Sequence, residues 1–177
     1  MINTQYLKTV IFTVFVLLLF TQSKSEVKIA IIDTEVIMKE SLAGKSLMKQ
    51  LSKIDNDNKK YFSEYEERLK QEKKKISAQI NILSKEEYDK KVSILNNDFK
   101  KYQKEVADKI KLTQSKRDKA LKKILSELNV LLSAYSNDNK LTFIIDQKNI
   151  VLGRTDLNIT NEILKLMNSK LKKVALN

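Results

Sequence analysis

Apolar side chains recur along the chain in two rhythms, and each predicts a different element. Val27, Ile29 and Ile31 alternate with Lys28, Ala30 and Ile32, the period of a strand with one strongly apolar face. That strand is expected to run from Val27 to Asp33, followed by a short helix capped by Thr34 and ending at Glu40. Leu141 to Ile145 and Ile150 to Leu152 read as two further strands, with Asp146 to Asn149 as the turn of a hairpin closed near Gly153. A last helix is expected from Thr160, the threonine capping it and Ile163, Leu164, Leu166 and Met167 on its buried side.

The second rhythm is helical. Gly44 to Tyr135 contain no Pro and no further Gly, which favours uninterrupted helix. Apolar residues return at Leu47, Leu51, Ile54, Tyr61, Tyr65, Leu69, Ile76 and Ile80, then at Tyr88, Val92, Leu95, Phe99, Tyr102, Val106 and Ile110. They return again at Leu121, Ile124, Leu128, Leu131 and Tyr135. Intervals of three, four and seven make a coiled-coil seam, and a subset spaced by eleven, such as Ile54, Tyr65 and Ile76, straightens the supercoil locally. Ser84 followed by Glu87 has the spacing of a capping box, so a new helix is expected to begin there.

A reversal at Ser84 makes two antiparallel arms, about 39 residues out and about 51 back, or roughly 60 and 75 Å at the rise of an α-helix. The expected fold is therefore α+β and predominantly helical, with a helical-hairpin arm, residues 44–119, turning near 82–86 on a small β-rich body. Residues 26–43 and 120–177 form that body, and Ala120 to Leu132 is apolar over a wide arc, as burial in it requires. A body this small with short strands is marginal alone, so association of several copies through it is expected.

The first 25 residues read as an address. Lys8 precedes a mostly apolar run from Val10 to Phe20, too short to span a bilayer, and small residues follow at Ser23 and Ser25. Cleavage is expected before Glu26, with an uncleaved anchor as the other reading; either places the remainder outside the cytoplasm.

Composition narrows the chemistry. The 177 residues hold no Cys, His, Trp or Pro and 2 Gly. Zinc fingers, thiol nucleophiles, imidazole bases and glycine-rich phosphate loops are excluded, so neither a cofactor, a metal site nor a catalytic residue is expected. The chain carries 34 basic and 22 acidic side chains, a net +12, and 23 of the basic against 14 of the acidic lie between Gly44 and Tyr135. Lys70, Lys73, Lys74, Lys75, Lys85, Lys90 and Lys91 gather near the expected tip. They are candidate contacts to an anionic surface or client, or else the solvated face of a coiled coil. Tyr61, Tyr65, Tyr88, Phe99 and Tyr102 are candidate apolar client contacts or seam packing. Nucleic acid is an improbable partner for an exported chain.

Two terminal segments resemble the Skp (OmpH-type) periplasmic chaperones. One is Lys28 to Asp33 followed by Glu40 to Lys45, similar to that family's opening strand and the Gly that starts its arm. The other comprises Ile144 to Asp146, Val151-Leu152 and Asp156 to Asn168, similar to its closing hairpin and helix. Gly153 departs from the pattern, in which an aromatic often follows the Val-Leu pair. The resemblance implies a periplasmic homotrimer whose body strands, carrying Ile29, Ile31, Leu141, Phe143, Ile145 and Val151, form a shared barrel. It also implies a cavity between the arms that holds unfolded outer-membrane β-barrel proteins without ATP. Two other classes stay open: a structural coiled-coil protein, and a binder of anionic phospholipid or lipopolysaccharide.

Overall fold

The computed structural model describes residues 27–176, and the expected export signal lies outside them. Two parallel strands, β1 (Ile29–Ile32) and β2 (Phe143–Asp146), pair in the register Ile29 with Phe143 through Ile32 with Asp146. Four α-helices accompany them among the described residues: α1 (Thr34–Glu40), α2 (Leu42–Ala78), α3 (Lys85–Asn139) and α4 (Thr160–Lys170). The chain is mainly helical, with a small sheet at one end.

The arm is an antiparallel pair. At about 1.5 Å per residue, the 37 residues of α2 and the 55 of α3 reach roughly 55 and 80 Å. The reversal occupies residues 79–84 and is closed by Ser84. Its Oγ accepts from the Glu87 amide while the Glu87 carboxylate accepts from the Ser84 amide, so two orphan amides of α3 are satisfied reciprocally. Glu87 is held below the ordinary carboxylate range, chiefly by the Ser84 hydroxyl.

Because α3 is longer than α2, it continues into the body, where its last turns meet α4 and β2. The core joins Ile32, Ile37, Ala43, Leu47, Ala120, Ile124, Leu128, Leu131, Ile163, Met167 and Val174. Burying each larger aliphatic among them contributes about 1.5–3 kcal/mol. The core takes only one stripe of α3: Leu125 and Val130 stay 44% and 64% exposed. The wide apolar arc expected to be buried is thus half uncovered, because nothing among the described residues packs on that side.

The corner between α1 and α2 is built around Ser41 and Gly44. Ser41 is fully buried and its Oγ accepts from the Gly44 amide at 3.1 Å, capping α2. Gly44 sits so close beneath the end of α1 that a Cβ there would overlap the backbone carbonyl of Met38. The Asn168 side chain accepts from the Leu42 amide at 2.7 Å and ties α4 to the same corner.

Several expected details differ. Asp33, not Thr34, caps α1, accepting from the Val36 amide at 2.9 Å. Thr34 instead donates to the Asp146 carboxylate. Burial pushes that carboxyl up, but the Thr34 hydroxyl and the Lys148 amide and ammonium outweigh it and leave the group below its ordinary value. Thr160 does not cap α4: its hydroxyl accepts from the Asp33 amide, and Asn158 accepts from the Thr160 amide, both at 2.9 Å. On α4, Ile163 and Met167 are buried and Leu164 partly so, but Leu166 is 40% exposed.

The expected hairpin is absent. After β2 the chain winds into a 3₁₀ turn, Gln147–Asn149, capped by Asp146, and Ile150 to Leu152 do not return along β2. The segment crosses instead over Ile31, where Gly153 leaves room for its Cδ1 methyl. On the other side β1 bridges to Asn158, and its Ile31 carbonyl accepts from the Ile159 amide at 2.9 Å. β1, not Ile150 to Leu152, is the neighbour of β2 within the chain.

Candidate functional site

The middle of the arm is locked by aromatics. Tyr61, Phe62 and Tyr65 of α2 meet Phe99 and Tyr102 of α3, with Tyr65 and Tyr102 centroids 5.2 Å apart, edge to face. Two phenols donate across the seam, Tyr61 to Glu105 at 2.7 Å and Tyr102 to Glu66. Donating to a carboxylate keeps the neutral phenol favoured, so both tyrosines are raised above their ordinary value. Arg68 lies over the Tyr65 ring at 4.5 Å and Lys109 over Tyr61 at 4.9 Å.

Tipward of this lock the helices do not close completely. A groove of about 750 Å³ opens on one side of the seam, lined by Leu69, Ile76, Val92, Leu95, Tyr88, Phe99 and Tyr102, with Glu66, Lys70, Lys73, Ser77 and Asn96 at its polar positions. Its apolar floor follows from helical spacing: Leu69 and Ile76 face Val92, Leu95 and Phe99 across the pair. Phe99 remains 48% exposed and presents its ring to the opening. The groove can hold an apolar segment of a partner while its cations attract negative charge.

The candidate residues divide by position. Lys70, Lys73, Tyr88, Phe99 and Tyr102 come together in this groove. Tyr65 and Lys75 line the opposite side of the arm with Arg68, Ile94 and Lys101. Lys70 and Lys75 lie 3.9 and 3.7 Å from Glu67 and Glu72, surface pairs of little energetic weight. Lys74, Lys85 and Lys90 are exposed and Lys91 partly so, and among the described residues these four and Lys73 make no ion pair. Leu69, Ile76, Val92 and Leu95 belonged to the seam pattern without being singled out as lining residues. Helical spacing alone does not say where a seam gapes. Asn96 and Ser77 gave no signal.

Of the body candidates, Ile29, Ile31, Phe143 and Ile145 share one face of the sheet, while Leu141 and Val151 lie outside its strands. Ile29 and Phe143 are register partners and are 37% and 58% exposed. Ile31 on the same face is covered, Ile145 and Leu141 are half-buried, and Val151 is fully exposed beside Leu152. The opposite face, Ala30 and Ile32, meets the core. The more strongly apolar face of β1 is therefore the one turned outward, against the usual expectation for a self-contained sheet.

Among the described residues no cluster of carboxylates could hold a metal ion, and no helix is long and apolar enough to cross a membrane.

Comparison with known proteins follows the same outline. A family model described as outer membrane protein (OmpH-like) matches residues 28–167. A solved structure from Caulobacter crescentus CB15, described as a candidate outer membrane chaperone (OmpH-like), superposes with a TM-score of 0.79 at 17% identity. The match covers 88% of this chain and 92% of that one, and at that identity it establishes the shared fold. No curated protein matches.

Proposed function

The chain belongs to the OmpH-like outer membrane protein family, and from that premise we propose that it is an ATP-independent periplasmic holdase for unfolded outer-membrane β-barrel proteins. Three copies associate through the outward sheet face, and their arms enclose a cavity in which one client is kept from others. The observation that carries this reading is the open groove of about 750 Å³ on a basic arm, with Phe99 48% exposed at its mouth above a partly buried apolar floor.

The physics of such a client fits the surface. A barrel precursor exposes alternating apolar side chains and unpaired strand edges, which aggregate in water. Weak apolar contacts along grooves such as that between Leu69 and Phe99 hold it without fixing it, and several arms acting together make the sum effective. Basic arms add attraction for acidic clients that falls with salt. Release needs no nucleotide, because no single contact is tight.

The body supports the assembly. Val27, Ile29, Phe143, Val151 and Leu152 are all more than a third exposed in the single chain, a larger apolar display than a two-stranded sheet tolerates in water. Covering them with copies of the same surface removes that cost.

The experiment is dilution of a denatured outer-membrane barrel protein with and without the chain from Glu26. Suppressed turbidity at stoichiometric amounts supports the holdase; equal turbidity leaves a structural coiled coil. A second reading, anionic-surface binding, is favoured by the unpaired Lys73, Lys74, Lys85, Lys90 and Lys91 around the tip. Under that reading, Gln at Lys73, Lys74 and Lys75 abolishes vesicle binding, whereas a holdase loses part of its client affinity and some of its salt sensitivity.

A further inference from the structure

The family match ends at residue 167, but the chain does not stop where α4 does. Residues 171–176 leave the end of α4 as an irregular segment with a bend at Lys172 and continue along the root of the arm. Val174 is 3% exposed and belongs to the core, and Leu171 and Leu176 pack against it. The segment is also held by one side chain from each arm helix. Gln50 of α2 donates to the Val174 carbonyl at 2.7 Å, and Lys116 of α3 reaches the Leu176 carbonyl at 3.4 Å.

Those two anchors stand at one level of the arm. The cross-seam pairs Tyr61 with Glu105 and Tyr102 with Glu66 set the antiparallel register, and extending it rootward places Gln50 opposite Lys116. Gln50 is eight residues beyond Leu42, where Asn168 ties α4 to the arm, so the segment climbs about 12 Å up the hairpin. Around the anchors no residue from 48 to 58 or from 106 to 119 is fully buried. A gap of about 620 Å³ opens there between the helices, where Met48, Leu51 and Ile110 share the lining with polar side chains such as Asp55, Asn58 and Thr113. A coiled coil opens most readily where apolar contacts are fewest.

We infer that residues 171–176 are a strap that binds the two arm helices together at the root and so limits how far they part at this loosely packed stretch. The strap joins the side chains of both helices to a segment anchored in the body through Val174. Released, it lets α2 and α3 move independently between the body core and the aromatic lock.

Amide hydrogen exchange of the assembled chain tests it. Compared are the full chain, a chain ending at Lys170, and the double variant Gln50→Ala with Lys116→Ala, which keeps Val174 in the core. The strap predicts faster exchange in residues 50–58 and 110–118, about tenfold in the shortened chain and about threefold in the double variant. It also predicts unchanged exchange in α1, α4 and the aromatic lock. Should the shortened chain fail to fold, the double variant decides alone. Unaltered exchange at the root in the double variant overturns the inference, and so does a loss of protection that spreads evenly into α1 and α4.

Discussion

Tyr61 and Glu105 meet across the arm, the phenol of the outgoing helix donating to a carboxylate of the returning one at 2.7 Å. Tyr102 and Glu66 repeat the contact with the helices exchanged. The two pairs fix the stagger of α2 against α3 near mid-arm, where apolar spacing alone would permit a slip of one turn.

These pairs give the arm a defined response to alkali. Each tyrosine is raised above its ordinary value near 10.0, chiefly because its hydroxyl donates to a glutamate. The folded value exceeds the unfolded one, so the contribution is complete below the unfolded value and is lost as pH rises through the raised one. Titration of tyrosinate absorbance should show Tyr61 and Tyr102 ionising late. Glu105→Gln and Glu66→Gln should each bring one midpoint down; midpoints that stay put contradict the pairing.

The α1–α2 corner predicts an unequal pair of glycine substitutions. Gly44→Ala forces a methyl into the Met38 carbonyl, which is backbone and cannot step aside. A loss of about 3 kcal/mol or more is expected in urea unfolding. Gly153→Ala meets the Ile31 Cδ1 at 2.9 Å, the end of a flexible side chain, and the Ile150 Cγ2 at 3.4 Å, an ordinary contact, and should cost about 1 kcal/mol or less.

At the tip, Ser84→Ala removes the hydroxyl half of the capping box and should weaken the start of α3 by about 1 kcal/mol. The loss should appear as faster amide exchange in residues 85–91 with the body unaffected. Glu87 sits below its ordinary value, so its share of the cap is present above that value and is lost as pH falls through the lowered one. Equal exchange in the variant at neutral pH would show that the cap is idle.

Phe99→Ser separates binding from folding. Phe99 is 48% exposed at the mouth of the groove and touches the lock only through Tyr102, 6.3 Å between centroids, so the arm should stay folded with a loss of about 1 kcal/mol. Affinity for an unfolded barrel client should fall about tenfold, the effect of losing one aromatic anchor. Unchanged retention of client by this variant would move the binding surface elsewhere on the arm.

The arm was readable because its information is local. Returns at three, four and seven residues, the absence of Pro, and Ser84 with Glu87 all act within a few turns, and the helices follow them. The body was less readable because its decisive contacts are distant in sequence. Asp33 and Thr34 are adjacent and either could cap α1; Thr34 is taken by Asp146, which is 112 residues away. Thr160 looks like a helix cap but is spent on the Asp33 amide, 127 residues distant. Ile150 to Leu152 have the composition of a strand, yet among the described residues no strand pairs with them and Val151 is wholly exposed. The groove was half legible: the periodicity marks Tyr88, Phe99 and Tyr102 as facing the other helix, but whether a seam closes or gapes depends on how the side chains fill it.

The most direct test is the mass of the species formed when the chain from Glu26 meets a denatured barrel client on dilution, read by light scattering behind a sizing column. The account predicts one soluble complex whose mass equals three chains and one client. Chains eluting singly while the client is lost to the pellet would contradict it.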